Sequence, residues 1–215
     1  MMDWKKEIYD KVVAGDADEV KSLTSQAVQQ GAVPGELLNE ALIAAMSEVG
    51  DRFEKREFFV PEMLVAARAM KAGVAVLKPL LGQGALGSAG TIVMGTVAGD
   101  LHDIGKNLVI MMFEGAGFRV VDLGVDVQAD RFLQAVREHS PQFLGMSALL
   151  TTTMQSMKST IEAVQKAGLR SKTFIMIGGA PVTQRFADEI GADIYGQDAN
   201  AAVRKVKEAI ASRRV

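Results

Sequence analysis

The 215 residues carry 24 basic and 26 acidic side chains, so the net charge is near zero and no cationic excess exists to condense on nucleic acid or anionic lipid. Apolar residues make up 48% and mean hydropathy is +0.14, enough for a packed core and too much for a disordered chain. Cysteine is absent and only two histidines, His102 and His139, occur, which excludes disulfides, thiolate metal centres, Fe–S clusters, a cysteine nucleophile and multi-histidine metal sites. No run of about 18 uncharged apolar residues is present to cross a membrane. The opening residues lack the apolar stretch of a signal peptide, so a reducing cytoplasm is the expected location. The length suits one large domain or two small ones.

Residues 3–81 read as helices throughout. Trp4, Ile8, Val12 and Val13 recur at helical spacing. Asp16 stands as an N-cap with Glu19 three residues on, followed by Val20, Leu23, Ala27 and Val28. Pro34 and Gly35 precede a third amphipathic stretch of Leu37, Leu38, Leu42, Met46 and Val49. Pro61 suits the first turn of a fourth helix, with the row Met63, Leu64, Ala66, Ala67, Met70, Val74 and Leu77. Four helices with short loops predict a bundle over residues 1–81. Methionine is abundant, but at this spacing it reads as core.

Glycine marks the next boundary. Of 21 glycines, five precede residue 81, and four then crowd into residues 82–90. So little bulk has nothing to bury, and the stretch reads as a flexible linker.

Residues 91–215 alternate short apolar runs with helical patterns. Strands are expected at 91–97, 119–123, 143–147, 173–177 and 193–195. Helices are expected near 105–116, 129–139, 153–167, 182–190 and 199–213. Such alternation predicts a doubly wound α/β domain with a five-stranded parallel sheet. Ligands of that fold sit outside the carboxyl ends of the strands.

The first loop in that position is Gly99-Asp100-Leu101-His102-Asp103-Ile104-Gly105-Lys106-Asn107. It lacks the three-glycine dinucleotide pattern and the Gly-Lys-Ser/Thr of a P-loop. It offers one imidazole with a carboxylate two residues away, which can hold the second ring nitrogen and fix the tautomer. A lone histidine cannot hold a free metal ion, but it can supply one axial ligand to a metal held by a macrocycle. Taken alone, the histidine reads equally well as an ordinary polar loop residue.

Four ordered motifs add to that loop. Asp100-x-His102-x-x-Gly105 resembles the signature of cobalamin-binding domains whose cofactor is bound base-off with a protein histidine on cobalt. Ser147-Ala148-Leu149 is similar to the family's Ser-x-Leu, and Gly178-Gly179 to its Gly-Gly. Val49-Gly50-x-x-Phe53-Glu54 with Phe59-Val60-Pro61-Glu62-Met63-Leu64 resembles the helical cap of methylcobalamin-binding proteins. The likeness spans about residues 5–213. It is nearest to the stand-alone corrinoid proteins of methylamine and methanol methyltransferase systems and more distant from the cobalamin module of methionine synthase.

The resemblance implies a role for each position. His102 would be the axial cobalt ligand, Asp100 its partner, and Thr153 the hydroxyl completing that relay. Gly105, Ser147, Leu149, Thr151, Gly178 and Gly179 would line the slot for the nucleotide tail, with Ser147 or Thr151 bonding the base nitrogen. Asp103 and Ile104, inside the signature, are counted with the cofactor-binding residues without an individual task, and Lys106 reads as an exposed loop residue. Phe53 and Val60 would form an apolar lid that shelters the upper face from water and oxygen, and the linker would let it swing aside. The implied function is a methyl carrier cycling between methyl-Co(III) and Co(I). It would serve a substrate-specific methyltransferase and an acceptor methyltransferase acting on a thiol or tetrahydropterin, with a reductive activator to recover Co(II). The chain would thus be one subunit of an enzyme system. The alternatives are a cobalamin-dependent sensor, a mutase cobalamin subunit, and a flavodoxin-like domain with another ligand. His139, at a helix end, reads as a solvated residue favourable to the dipole.

Overall fold

The computed structural model describes residues 3–81 and 89–213. Of the linker expected over 82–90, residues 82–88 lie outside the described residues. The chain divides into two units, Met1–Ala89 with Met111–Phe118, and Gly90–Ile110 with Arg119–Val215.

The helical unit contains α1 (Trp4–Val13), α2 (Ala17–Gln29), α3 (Pro34–Glu36), a π-helical stretch (Leu37–Ile43), α4 (Ala44–Glu54) and α5 (Val60–Leu77). The stretch from α3 through α4 forms one helical rod, so the unit is a four-helix bundle as expected. Capping fixes the starts. Asp3 accepts the Lys6 N–H and Asp16 accepts the Glu19 N–H, each satisfying one of the free first-turn donors. Pro34 and Pro61 occupy first turns, where a missing N–H is no loss. α1 packs on α2, α4 and α5, and α2 on α5. Ile8, Val12, Val20, Leu42, Val49, Met63 and Met70 fill the space between them.

Two local expectations are corrected. The third amphipathic stretch is π-helical rather than α-helical over Leu37–Ile43, although Leu37, Leu38, Ala41 and Leu42 remain buried. Leu64, expected in the core row of α5, is exposed, as are Phe59, Val60 and Val65. The apolar face at the start of α5 therefore extends beyond the bundle core.

Beyond residue 90 the elements run β1 (Thr91–Thr96), α6 (Ile104–Gly115), β2 (Arg119–Asp122), α7 (Ala129–His139), β3 (Phe143–Ser147), α8 (Met154–Lys166), β4 (Phe174–Gly178), α9 (Gln184–Ile190), β5 (Ile194–Gly196) and α10 (Ala199–Arg213). All neighbouring strands pair in parallel, in the order β2-β1-β3-β4-β5. The chain leaves β1 toward β2 on one side and returns to β3 on the other. The β1/β3 boundary is thus the topological switch point, where connections diverge and leave a crevice at the carboxyl edge. Register aligns that edge: Thr96 pairs with Ser147, Ser147 with Gly178, and Gly178 with Gly196.

The central strands β1 and β3 are buried on nearly every residue, whereas the edge strand β2 is only partly covered. Phe132 from α7 is fully buried among Val93, Val97, Val127 and Leu144. Gly95 in β1 makes room for it. A Cβ there would stand 2.9 Å from the Phe132 ring and 3.1 Å from Val127. The ring is enclosed and cannot withdraw without moving the core. Gly95→Ala is therefore expected to destabilise the protein by about 1–3 kcal/mol through overpacking, measured by urea unfolding. A loss below a few tenths would show that α7 yields freely.

Candidate functional site

The site grows from the end of β1. Gly99 takes a left-handed conformation (φ 82°) and turns the chain back over the strand. The turn buries Asp100 completely while leaving the His102 side chain about half exposed (49%). A buried carboxylate must be fully hydrogen-bonded to be tolerated, and Asp100 is. Its Oδ1 accepts the His102 N–H at 3.1 Å and meets His102 Nδ1 at 2.7 Å. Its Oδ2 accepts the Thr153 hydroxyl at 2.7 Å and the backbone N–H groups of Leu149 and Leu150 at 2.8 and 3.2 Å. Burial pushes the Asp100 carboxyl up, but the bonds from the Thr153 hydroxyl, the Leu149 N–H and His102 more than offset it. The carboxyl is held well below the usual carboxylate range.

Ionised Asp100 accepts only, so the proton in the short contact belongs to His102 Nδ1. The imidazole is thereby fixed with Nε2 as its remaining nitrogen. Among the described residues, no hydrogen-bonding group reaches Nε2. The two loops that Asp100 joins also carry Leu101 (72% exposed), Ile104 (86%), Leu149 and Leu150, all open to solvent. Exposed apolar side chains on loops that also hold a half-exposed imidazole suit a broad, largely apolar ligand.

The other expected residues are placed as follows. Thr153 is buried and directly bonded to Asp100. Ser147 ends β3, half-buried, with Oγ 2.9 Å from Thr96 Oγ1. Thr151 is exposed in the loop that carries Leu149. Gly105 opens α6, and a Cβ there would meet nothing within 4 Å. Asp103 accepts the Asn107 side-chain amide at 3.1 Å. Gly178 is crowded, since a Cβ would stand 2.9 Å from the Gly196 carbonyl oxygen. Gly179 is more constrained: φ is 131°, and a Cβ would overlap the Ala148 carbonyl. The glycine pair is therefore already required by close backbone approach within the sheet and its loops. Phe53 and Val60 belong to the helical unit, Phe53 half-buried in α4 and Val60 exposed at the start of α5.

Two polar residues differ from expectation. Lys106 is not an exposed loop residue: its side chain is 2% exposed and Nζ bonds both Asp122 oxygens, at 2.7 and 2.8 Å, and Asn107 Oδ1. It pins the start of α6 to the end of β2. His139 is half-buried rather than solvated, with Nε2 3.7 Å from Glu138.

Two further residues were missed. Thr96 is fully buried and its hydroxyl donates to the His102 carbonyl at 2.9 Å. Asp126 adopts a left-handed conformation (φ 52°) and clasps the loop twice. Its N–H donates to the Asp100 carbonyl at 2.9 Å, and its carboxylate accepts the Gly99 N–H at 2.7 Å. Neither carries a sequence signal: Thr96 is one hydroxyl in an apolar strand, and Asp126 a residue in an ordinary loop.

The fold is that of a parallel α/β domain with its loop histidine at the β1/β3 crevice, joined in one chain to a helical bundle. Residues 90–204 match the family model of a B12 binding domain, and residues 4–78 match a second B12 binding domain model. The chain is 46% identical over 207 residues to the dimethylamine corrinoid protein of Methanosarcina barkeri, covering 96% of this chain and 97% of that one. It is 44% identical to the trimethylamine corrinoid protein 1 of Methanosarcina mazei, covering 94% of each. A chain of the methanol:cobalamin methyltransferase complex of Methanosarcina barkeri superimposes with a TM-score of 0.89 at 31% identity, covering 97% of this chain and 80% of that one. The chain belongs to this family of B12-binding corrinoid proteins, as the motif resemblance implied. Among the described residues, no helix is long and apolar enough to cross a membrane.

The donor set fits the cofactor of that family. Among the described residues no three His, Cys, Asp or Glu side chains form a metal-holding cluster. One oriented imidazole suits a metal whose equatorial ligands come with a macrocycle. Asp100 and His102 should separate fold from function. Asp100→Ala leaves the Leu149 and Leu150 N–H groups without their acceptor and is expected to destabilise the apoprotein by about 3 kcal/mol. His102→Ala removes a half-exposed ring and should cost about 1 kcal/mol or less. Urea unfolding of both variants checks the contrast, and equal losses would refute it.

Proposed function

We propose that this chain is a methyl carrier that holds a corrinoid base-off, with His102 Nε2 as the axial ligand. The observation that carries the reading is the Asp100–His102 contact of 2.7 Å, which leaves Nε2 as the free nitrogen. When bound, the corrinoid supplies a cobalt centre able to accept and release a methyl group. The chain's own residues do the rest. Asp100 keeps the proton on Nδ1 and makes the imidazole a better donor. Thr153 and the Leu149 and Leu150 N–H groups hold Asp100 still. Leu101, Ile104, Leu149 and Leu150, exposed on the same two loops, offer apolar contact to the corrinoid. Gly105 leaves open space beside the first turn of α6, and Ser147 or Thr151 offers a hydroxyl to the nucleotide tail.

His102 would hold the corrinoid through a bond that can be made and released. The Asp100 contact at Nδ1 would keep the ring anchored whether or not Nε2 is engaged. Phe53 and Val60 serve to exclude water and oxygen from the loaded protein. The partners would be a substrate-specific methyltransferase that loads the methyl group and an acceptor methyltransferase that removes it, toward a thiol or tetrahydropterin. A reductive activator would restore adventitiously oxidised protein. The relatives named for dimethylamine and trimethylamine favour a methylated amine as the donor class. Absence of cysteine assigns any zinc-thiolate activation of the acceptor to a partner.

Protein reconstituted with methylcobalamin should show a base-off, histidine-ligated absorption spectrum. His102→Gly should lose the histidine signature and slow methyl transfer by at least about tenfold, one order being 1.4 kcal/mol of barrier. An unchanged spectrum would overturn the ligand assignment. Phe53→Ala should accelerate photolysis and aerobic oxidation of the loaded protein, and unchanged rates would remove the shielding role alone.

A further inference from the structure

The Thr96 hydroxyl is fully buried and has two partners, the His102 carbonyl and Ser147 Oγ, each at 2.9 Å. A hydroxyl owns one proton. The carbonyl can only accept, so the Thr96 proton is committed to His102. The proton between the two hydroxyls is then that of Ser147. Donation runs in one direction, from Ser147 to Thr96 to the backbone of His102. Register explains why the three meet. Thr96 and Ser147 are paired residues at the ends of β1 and β3, and the chain beyond Thr96 turns back over them.

We propose that Thr96 is a positioning residue that couples the hydrogen bonding of Ser147 to the backbone of His102. The inference rests on the corrinoid reading above and gives it a specificity rule. A tail whose base presents an acceptor nitrogen to Ser147, rather than to Thr151, would take the Ser147 proton. Ser147 Oγ then becomes the acceptor for Thr96, and the Thr96 proton turns away from the His102 carbonyl. A tail whose base has no acceptor nitrogen, such as a phenol, leaves the donation chain intact. The chemistry of the lower base is thus felt at the backbone of the axial ligand. Thr96 touches neither the reacting atoms nor, in this account, the cofactor.

The test uses the full chain, labelled for NMR, in three forms. Wild-type protein is loaded with cobalamin or with a cobamide carrying a phenolic base, both as Co(III). The His102 carbonyl carbon resonance should differ between the two. Ser147→Ala and Thr96→Val should each abolish that difference, and Thr96→Ser, which keeps the hydroxyl, should restore it. In the apoprotein, Thr96→Val should speed exchange of the His102 amide about fivefold, the worth of one net hydrogen bond, and Thr96→Ser should not. A His102 carbonyl resonance that is the same with both corrinoids, while both spectra show histidine ligation, overturns the coupling and leaves the carrier reading standing. Failure of either corrinoid to ligate His102 overturns the carrier reading itself. If Thr96→Val does not fold, the wild-type comparison and Ser147→Ala still decide.

Discussion

The organisation of the α/β unit turns on one buried carboxylate. Asp100 is fully enclosed, and transferring an unpaired charge to such a place would cost many kcal/mol. It is tolerated because the loop after β3 presents two backbone N–H groups and a hydroxyl, and its own loop presents the N–H and ring of His102. The strong acceptor therefore stitches together the two loops that flank the switch point. Its geometry also fixes the imidazole. The bonds that make the charge tolerable are the same bonds that orient the His102 ring, so fold and candidate site are satisfied by one arrangement.

Other polar residues restrain the same loop from different directions. Thr96 holds it from beneath through the His102 carbonyl. Asp126 holds it from the loop after β2, at Gly99 and at the Asp100 carbonyl. Lys106, itself buried, anchors the helix that follows it through an ion pair with the exposed Asp122. Breaking such a pair by removing one partner leaves a buried charge uncompensated, so the pair acts as a rigid tie more than as a source of net stability. A surface loop restrained on three sides can keep a half-exposed ring in place without burying it.

Much of this was legible in the residues before any coordinates. The alternation of apolar runs and helical patterns fixes five strands and their helices to within about a residue or two at each end, because parallel strands covered on both faces cannot be polar. Asp100, His102 and Thr153 were legible through the motif and its chemistry. Thr96 was not, because one hydroxyl in an apolar strand breaks no period, and its partner Ser147 lies 51 positions away. Lys106 misled for a related reason. A lysine beside a loop is usually solvated, and only β2, brought alongside by the fold, supplies the carboxylate that buries it. The π-helical stretch was hidden because its apolar spacing also suits an α-helix, and Leu37, Leu38 and Leu42 are buried in either case.

The contrast between Asp100 and His102 separates the residue the fold depends on from the one the loop displays. A ring that had to be buried to be positioned would carry part of the folding energy. Here the oriented ring stands half in solvent, while Asp100 and Thr153, which hold it in place, are buried. The glycine pair follows the same economy of placement. Gly179 is required by its left-handed φ and its approach to Ala148, so the sheet edge is kept free of side-chain bulk beside Ser147 for reasons internal to the fold. The candidate site thus occupies positions that folding has already rigidified or cleared.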